Sequence, residues 1–255
     1  MHFSFRQHAF IALQGTLLFS LNYLFVYLAE IYLTSGLVAI VFSMLVFMNI
    51  IAGGVFLGTP VRLFVVLGAA VGMVGIVLVF LPELNTYGWN DSSMVGLLLS
   101  FLGTVSASLG NIAAARNQQH GLPVLQTNAF GMGYGAVLMY IYALLSGVPF
   151  RFDVTPTYIG SLLYLAIFGS ILAFGAYLTL LGNIGADRAA YGSLLYPLIA
   201  LWLSTLFEGY RWSGAALFGV VLVLSGNIIV LVRKHGIHSD KKVIKDHKDM
   251  PHLGS

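Results

Sequence analysis

Residues 35–57 read SGLVAIVFSMLVFMNIIAGGVFL and contain no charged side chain. A helix needs about 20 predominantly apolar residues to cross the roughly 30 Å hydrocarbon core of a bilayer, so this stretch predicts a transmembrane helix. Further stretches of the same character lie at 9–29, 63–81, 94–115, 124–146, 157–182, 189–207 and 213–232. We therefore predict an all-α, polytopic transmembrane helix bundle with eight spans.

The distribution of charged residues supports eight spans. The chain has 255 residues, of which 58% are hydrophobic and 8% charged, whereas about 25% charged is usual in soluble domains. None of the 12 basic and 9 acidic residues falls inside the eight stretches. A charge at the centre of a membrane helix costs about 2.5–3.5 kcal/mol on insertion scales. The composition excludes a water-soluble globule, and the alternating pattern of membrane β-strands is not seen.

Basic residues between the spans predict the orientation of the bundle. An even number of spans puts both termini on one side, and the other side carries only Arg151 and Arg211. The side of the termini carries Arg6, Arg62, Arg116, Arg188, Arg233, Lys234, Lys241, Lys242, Lys245 and Lys248. Cytoplasmic connections are enriched in Lys and Arg. We expect a multi-pass protein of a bacterial-type inner membrane with both ends in the cytoplasm.

The chain contains an internal repeat. An offset of 151 residues pairs Ala39 with Ala190, Gly58 with Gly209, Gly68 with Gly219, Gly75 with Gly226 and Val79 with Val230. Five spans separate the equivalent segments, and five is odd, so the two copies must have opposite orientations in the membrane. Many secondary transporters are built on such inverted repeats, with the substrate near the midplane. The alternative is chance matching between two glycine-rich apolar stretches.

The repeat divides the chain into four parts. Residues 1–82 hold three spans, 83–93 form an external connecting loop, and 94–232 hold five spans. Residues 233–255 form a charged tail that we expect to be solvated and disordered in the cytoplasm. The chain has no cysteine, which excludes a disulfide framework and a thiolate metal site.

Two segments resemble the EamA-type transporters of the drug/metabolite transporter superfamily. Residues 27–58 read YLAEIYLTSGLVAIVFSMLVFMNIIAGGVFLG, and the G-x6-G-I-V-L-V pattern of Gly68 to Val79 follows them. The stretch from Gly185 to Val232 carries A-x-x-G-S-L-L-Y-P-L, then E-G and G-x6-G. The resemblance implies ten helices in two inverted repeats of five, cytoplasmic termini and a central cavity lined by both halves.

The sequence differs from that family pattern in three respects. Only three spans precede the midpoint loop, so the first two helices of the family pattern are not represented. Either the chain starts at an internal methionine of a longer gene, or the protein has three spans in its first half and five in its second. Gly58 is followed by Thr59, where the family often has glutamate. Val46 stands where the family often has proline, although its repeat partner Pro197 is present.

Polar side chains within the first span are candidates for solute binding. Gln14 and Asn22 are eight residues apart and so share a helix face, with Tyr23 and Tyr27 nearby. Buried polar groups in a bilayer must find partners or line water. Asn22, Tyr23 and Tyr27 are therefore predicted to contact solute. The alternative for Asn22 is an interhelical hydrogen bond worth about 0.6 kcal/mol.

Other spans contribute further candidates. Ser43 on the second span is predicted at the site, although a serine in a membrane helix can instead bond its own backbone. Ser100, Thr104, Ser108 and Asn111 form a stripe on the fourth span, which is either a cavity wall containing Asn111 or a close-packed seam.

The sixth and seventh spans supply Tyr177, Tyr196 and Pro197. Proline frees a carbonyl in the preceding helical turn, which favours Tyr196 as a cavity residue over a lipid-facing aromatic beside an ordinary kink.

These observations favour a carrier over an enzyme. The seven histidines all lie outside the spans, and no span holds a carboxylate to act as a general base. We expect no catalysis, cofactor or metal, and a secondary transporter that moves a small neutral or zwitterionic metabolite or drug by alternating access. The alternative is a non-transporting truncated protein or scaffold that needs the missing helices or a partner. Expected partners are the lipid bilayer and the solute, with a homodimer left open and no nucleic acid.

Overall fold

The computed structural model of the protein describes residues 3–58, 63–87, 92–147, 149, 151–174, 176, 195–210 and 212–229, with the backbone alone for 65, 69, 80–87 and 195–198. Within these ranges every regular element is a helix. The helices are α1 (Phe5–Glu30), α2 (Ser35–Leu57), α3 (Leu63–Tyr87), α4 (Ser92–Gln119), α5 (Val124–Leu145), α6 (Pro156–Leu172), α7 (Leu195–Phe207) and α8 (Gly214–Ile229).

Each predicted span overlaps one of these helices, so the all-helical membrane bundle is confirmed. Parts of the sixth and seventh predicted spans, at 175, 177–182 and 189–194, lie outside the described residues. Four helices, α1, α2, α4 and α5, are long and apolar enough to cross a membrane by themselves. Helix α3 continues to Tyr87 and α4 begins at Ser92. The helical bounds therefore extend into the segment 83–93 that the sequence predicts as a loop. The predicted tail at 233–255 lies outside the described residues.

The same offset of 151 residues relates the helix ends of the two copies. Helix α1 begins after Ser4, whose hydroxyl accepts a hydrogen bond from the Gln7 N–H, and α6 begins after Thr155, which accepts from the Tyr158 N–H. Such caps satisfy backbone donors that the first helical turn leaves free. Gly58 and Gly209, also 151 apart, have left-handed backbones with φ of 68° and 70°. The repeat is therefore present in the backbone structure as well as in the amino-acid sequence.

Both copies also contain a π-helical segment, and the two segments end at equivalent residues. The segment spans Leu17–Leu21 in α1 and Leu165–Leu172 in α6, where it begins three residues earlier relative to the repeat. A π turn holds one residue more than an α turn and loosens the regular backbone bonding. On α1 the carbonyl of Leu17 accepts a second hydrogen bond, of 2.9 Å, from the hydroxyl of Ser106 on α4. The polar group in this irregular turn is thus satisfied by a neighbouring helix.

Helix α2 is interrupted at Ser43 and Met44, between α-helical parts Ser35–Phe42 and Leu45–Leu57. The Ser43 hydroxyl donates to the carbonyl of Ile40 at 2.7 Å. Serine bonding to its own helix backbone commonly bends the helix. The sequence predicts an uninterrupted span here, and this local bond is the physical reason for the difference.

Helix α4 occupies the centre of the described bundle and packs on both α1 and α2. Its glycines recur every seven residues. A side chain at Gly96 would meet Leu33, one at Gly103 would meet Val26, and one at Gly110 would meet Leu18. Small residues in this pattern allow two membrane helices to approach closely. The face of α4 towards α1 is therefore a packing seam.

Helices α3 and α8 cross in an antiparallel pair through glycines that the repeat relates. Gly75 lies against Gly219, and Gly68 lies against Gly226. In the repeat, Gly68 is equivalent to Gly219 and Gly75 is equivalent to Gly226. Gly75 therefore contacts the equivalent of Gly68, and Gly68 contacts the equivalent of Gly75, as in a two-fold symmetric interface. The two copies are thus inverted relative to one another.

This crossing predicts a large effect for one added methyl group. A Cβ at Gly219 would lie 2.5 Å from the Gly75 carbonyl oxygen, so Gly219→Ala should cost about 1–3 kcal/mol through overpacking. Gly133→Ala is the matched control because nothing lies within 4 Å of the added atom. Thermal unfolding in detergent should show a lower melting temperature for Gly219→Ala alone. Equal melting temperatures would contradict the tight crossing.

Candidate functional site

The three candidates on α1 lie just after its π-helical turn. Asn22 is buried and its Nδ2 donates to the Leu18 carbonyl of the same helix at 3.3 Å, while its Oδ1 has no partner in the ranges given above. The rings of Tyr23 and Tyr27 are stacked with centroids 6.2 Å apart. Tyr27 is exposed and Tyr23 is partly buried. This group therefore offers one unused acceptor and an aromatic surface.

The candidates on α2 and α4 are held by different contacts. Ser43 is buried and bonded to its own helix at Ile40. The Asn111 Nδ2 is 3.5 Å from the Oδ1 of Asn49 on α2, and both residues are partly buried. The two asparagines thus link α2 to α4.

The rest of the α4 stripe is closely packed. Ser100, Thr104 and Ser108 are all buried. Thr104 donates to the Ser100 carbonyl at 2.8 Å, and the Ser108 hydroxyl has no partner in the part of the chain that the structure describes. The stripe is a packed interior face with one unsatisfied hydroxyl.

Three candidates are not described at the level of side chains. Tyr177 lies outside the described residues. Tyr196 and Pro197 lie near the start of α7, where the structure describes the backbone alone. Their place in a solute site remains a prediction.

Sequence reasoning did not find the most extensive polar cluster of the described spans. Gln14 on α1 donates from Nε2 to the Oδ1 of Asn128 on α5 at 2.6 Å. Asn117 on α4 donates from Nδ2 to the Oε1 of Gln14 at 3.0 Å and to the Phe10 carbonyl at 3.4 Å. All three amides are buried. We call Gln14, Asn117 and Asn128 the amide cluster.

The sequence signals for this cluster were Gln14 in the first predicted span and Asn128 in the fifth. Asn117 follows the predicted end of the fourth span at 115, and it is 103 residues from Gln14 in the chain. Nothing in the local sequence pairs residues at that separation. A search for Asn and Gln side chains within the predicted spans and just beyond their ends would have found all three residues.

Two pockets lie away from the predicted site residues. One, of about 390 Å³, is apolar and lies on α5 along Ala129, Phe130, Gly133, Tyr134 and Val137. The other, of about 410 Å³, lies between the end of α1 and the start of α2. It is lined by Glu30, Ile31, Tyr32, Leu33, Thr34, Ser35 and Glu208. Neither pocket is lined by any of the eight residues that the sequence predicted.

The Glu208 carboxylate links the two halves of the bundle at the second pocket. It accepts hydrogen bonds of 2.8 Å from the Ser35 N–H, at the first residue of α2, and from the Ser204 hydroxyl on α7. Burial raises the pKa of the Glu208 carboxyl, but hydrogen bonds from Ser35 and Ser204 outweigh burial and leave this pKa below its ordinary value. A negative charge also favours the N-terminus of a helix. Glu208 therefore caps α2 in its ionised form.

Within the ranges that the structure describes, no three His, Cys, Asp or Glu side chains are grouped so that they could hold a metal ion. The polar groups inside the spans are amides and hydroxyls. Such groups can bind an uncharged or zwitterionic molecule through hydrogen bonds.

Comparison with known proteins identifies related membrane proteins. The model of the EamA-like transporter family matches residues 94–232, more than half of the chain. The "Uncharacterized inner membrane transporter YedA" of Escherichia coli strain K12 is 29% identical over 205 residues, which cover 76% of this chain and 63% of that protein. The chain thus spans less than two thirds of the length of this relative.

Two other relatives carry more specific names. "Protein PecM" of Dickeya dadantii is 29% identical over 236 residues, covering 91% of this chain and 75% of that protein. The "Probable amino-acid metabolite efflux pump" of Escherichia coli strain K12 is 26% identical over 199 residues, covering 75% of this chain and 66% of that protein.

The hydrogen bonds to Glu208 predict a pH dependence of stability. Because its pKa is lowered by folding, its contribution is complete above the ordinary pKa of 4.5 and is lost as the pH falls through the lower, folded-state pKa. The melting temperature of the wild type should therefore fall below about pH 4.5 more steeply than that of Glu208→Gln. Melting curves in detergent across this range would measure the difference.

Asp153→Asn is the control for that experiment. Asp153 is an exposed carboxylate, so this variant also removes one negative charge and separates the role of Glu208 from the loss of any one carboxylate. Parallel curves for the wild type and Glu208→Gln would show that Glu208 has no role in the pH dependence.

Proposed function

Because the chain belongs to the EamA-like transporter family, we propose that it is a secondary carrier that moves a small neutral or zwitterionic organic metabolite or drug by alternating access. The observation that carries this proposal is the inverted pair of repeats joined at the antiparallel crossing of α3 and α8. Carriers with inverted repeats expose a midplane site to one side and then to the other by rocking one repeat against its counterpart.

The chemistry of the spans supports an uncharged or zwitterionic solute. The predicted spans contain no Asp, Glu, Lys or Arg, so a highly charged phosphate would find no counter-ion there and its desolvation would be costly. Tyrosine, asparagine and serine offer aromatic surface and hydrogen bonds instead. We assign solute contact to Asn22, Tyr23, Tyr27, Ser43, Asn111, Tyr177, Tyr196 and Pro197.

Two sets of contacts between the halves fit a rocking mechanism. The amide cluster joins α1 of the first half to α4 and α5 of the second, nearer the end where α1 begins. The bond from Ser35 to Glu208 joins α2 to the loop after α7, beyond the opposite end of α1. Opening one side of the bundle would break one set of contacts while the other set stays in place.

The membrane setting follows from the relatives and the apolar helices. The protein is a multi-pass protein of the inner membrane. We propose that both termini are cytoplasmic, that the protein catalyses no reaction, and that it needs no nucleic acid. A homodimer is compatible with this role.

One observation favours a second candidate, a bundle that transports solute only when further helices pack on α6. Helix α1 buries Ile11, Gln14 and Gly15 against α4 and α5, whereas its repeat equivalent α6 has no buried residue. The helices that hold α1 have no counterpart beside α6 in the described part of the chain. On this alternative the purified chain would bind lipid but would not move solute.

Transport assays in reconstituted vesicles test the proposed carrier. Asn22→Ala and Tyr196→Ala should each lower flux of a transported metabolite about tenfold, the equivalent of one lost hydrogen bond. Tyr142→Ala is the control because Tyr142 is exposed on α5, away from the proposed site. Normal flux in both site variants would contradict the assigned residues, and no flux in the wild type would favour the second candidate.

Cysteine labelling tests the inverted topology directly, because the chain has no native cysteine. Ser4→Cys and Thr155→Cys place a thiol at exposed, repeat-equivalent caps. A membrane-impermeant thiol reagent should label Ser4→Cys only from the cytoplasmic side and Thr155→Cys only from the outside. Labelling of both variants from the same side would rule out the inverted arrangement.

A further inference from the structure

The amide cluster is more than an interhelical contact, because it is incomplete. Asn117 uses its Nδ2 for hydrogen bonds to Gln14 and Phe10, but its Oδ1 is buried and has no partner among the described residues. Leaving a buried acceptor unpaired costs about 1–3 kcal/mol. A cluster that served packing alone would lose little if all three amides were replaced together by apolar residues, since no polar atom would then be left unpaired.

The amide of Gln14 is not shared by its equivalent in the other repeat. The residue equivalent to Gln14, 151 positions later, is Leu165. Leu165 lies at the start of the π-helical segment of α6, so leucine is compatible with this helix. The amide at Gln14 is therefore a property of one half.

The cluster also differs from the other buried amides with unpartnered oxygens. Asn22 and Asn227 have such oxygens, but in the described part of the chain neither is hydrogen-bonded to another amide. In the amide cluster, side chains from three helices converge on one another. Arg116 lies next to Asn117 in sequence, yet its guanidinium stacks on the Phe10 ring at 3.3 Å. The polar groups available to a ligand are thus neutral.

The neighbouring backbone explains how the cluster could open. Gly15, next to Gln14, lies directly against the Gly131 carbonyl of α5, and a Cβ at Gly135 would lie 3.1 Å from the Gly15 carbonyl oxygen. This contact between two helix backbones involves few interlocking side chains. A small separation of α1 from α5 would therefore expose Gln14 and Asn128 without repacking a large apolar core.

We propose that Gln14, Asn117 and Asn128 form a binding site for a solute that carries a carboxamide group. The NH2 of the ligand carboxamide would donate one N–H to the Oδ1 of Asn117 and the other to the Oδ1 of Asn128. The ligand carbonyl would accept from Nε2 of Gln14 in place of Asn128. The oxygen of Asn128 thus exchanges one amide donor for another, and the oxygen of Asn117 gains a partner. This site deepens the proposed carrier function and rests on it.

A carboxylate in place of the carboxamide should bind poorly. It has no N–H for the Asn117 oxygen, and its charge would be buried without a counter-ion. A site built to bond a polar group discriminates strongly against an analogue that lacks the donor. L-Glutamine and L-glutamate have nearly the same shape, so comparing them tests a carboxamide against a carboxylate at the same position.

Ligand-dependent melting of the purified full chain in detergent tests the site. L-Glutamine should raise the melting temperature of the wild type and L-glutamate should not. In Gln14→Leu, which copies the residue of the other repeat, the apparent Kd for glutamine should weaken about tenfold or more. Asn128→Ala serves as a second variant if Gln14→Leu fails to fold. Asn227→Leu is the control, a buried asparagine outside the cluster.

The outcomes separate the site from the carrier function. Equal stabilisation by glutamine and glutamate, no stabilisation by either, or wild-type affinity in Gln14→Leu and Asn128→Ala would each overturn the site. Uptake of glutamine into vesicles measures the carrier function independently. Glutamine-specific stabilisation without uptake would retain the site and reject the carrier, whereas uptake of other solutes that Gln14→Leu leaves unchanged would retain the carrier and reject the site.

Discussion

The hydrocarbon core of the bilayer cannot hydrogen-bond to protein, and the whole structure follows from that constraint. Backbone groups are satisfied inside helices, and the hydroxyls of Ser43 and Thr104 bond to carbonyls of their own helices. Where the helix is irregular, at the π-helical turn of α1, Ser106 from α4 supplies the additional bond to Leu17. Polar atoms that remain unpaired, such as the Oδ1 of Asn117, are therefore exceptional and informative.

Close helix contacts supply the cohesion that the hydrophobic effect cannot provide between helices in lipid. Glycines serve this purpose at three interfaces, between α1 and α4, between α1 and α5, and between α3 and α8. The first two join the first half of the chain to the second around α1. The third is the symmetric crossing of the repeats. The contacts of α1 with α5 and of α3 with α8 thus bring helix backbones together, whereas the glycines of α4 receive side chains such as Leu33 and Val26.

Much of the fold could be predicted because membrane spans have a strong compositional signal. The segment 35–57 coincides with α2, and Gly68, Gly75, Gly219 and Gly226 reveal the repeat that the structure brings together. The break at Ser43 and the π-helical turn at Leu17–Leu21 were not predicted, because serine bonding is local and optional and the turn carries no proline or glycine. The pairing of Gln14 with Asn117 depends on tertiary contact between distant spans. The site assigned from single residues therefore missed the cluster that several helices create.

The π-helical segments of α1 and α6 form in different surroundings. They end at Leu21 and Leu172, which are 151 positions apart. Helix α1 buries residues against α4 and α5, whereas α6 buries none between Pro156 and Leu172. The irregular turn therefore does not require an enclosing partner, and it gives each half of the bundle a point of looser backbone bonding.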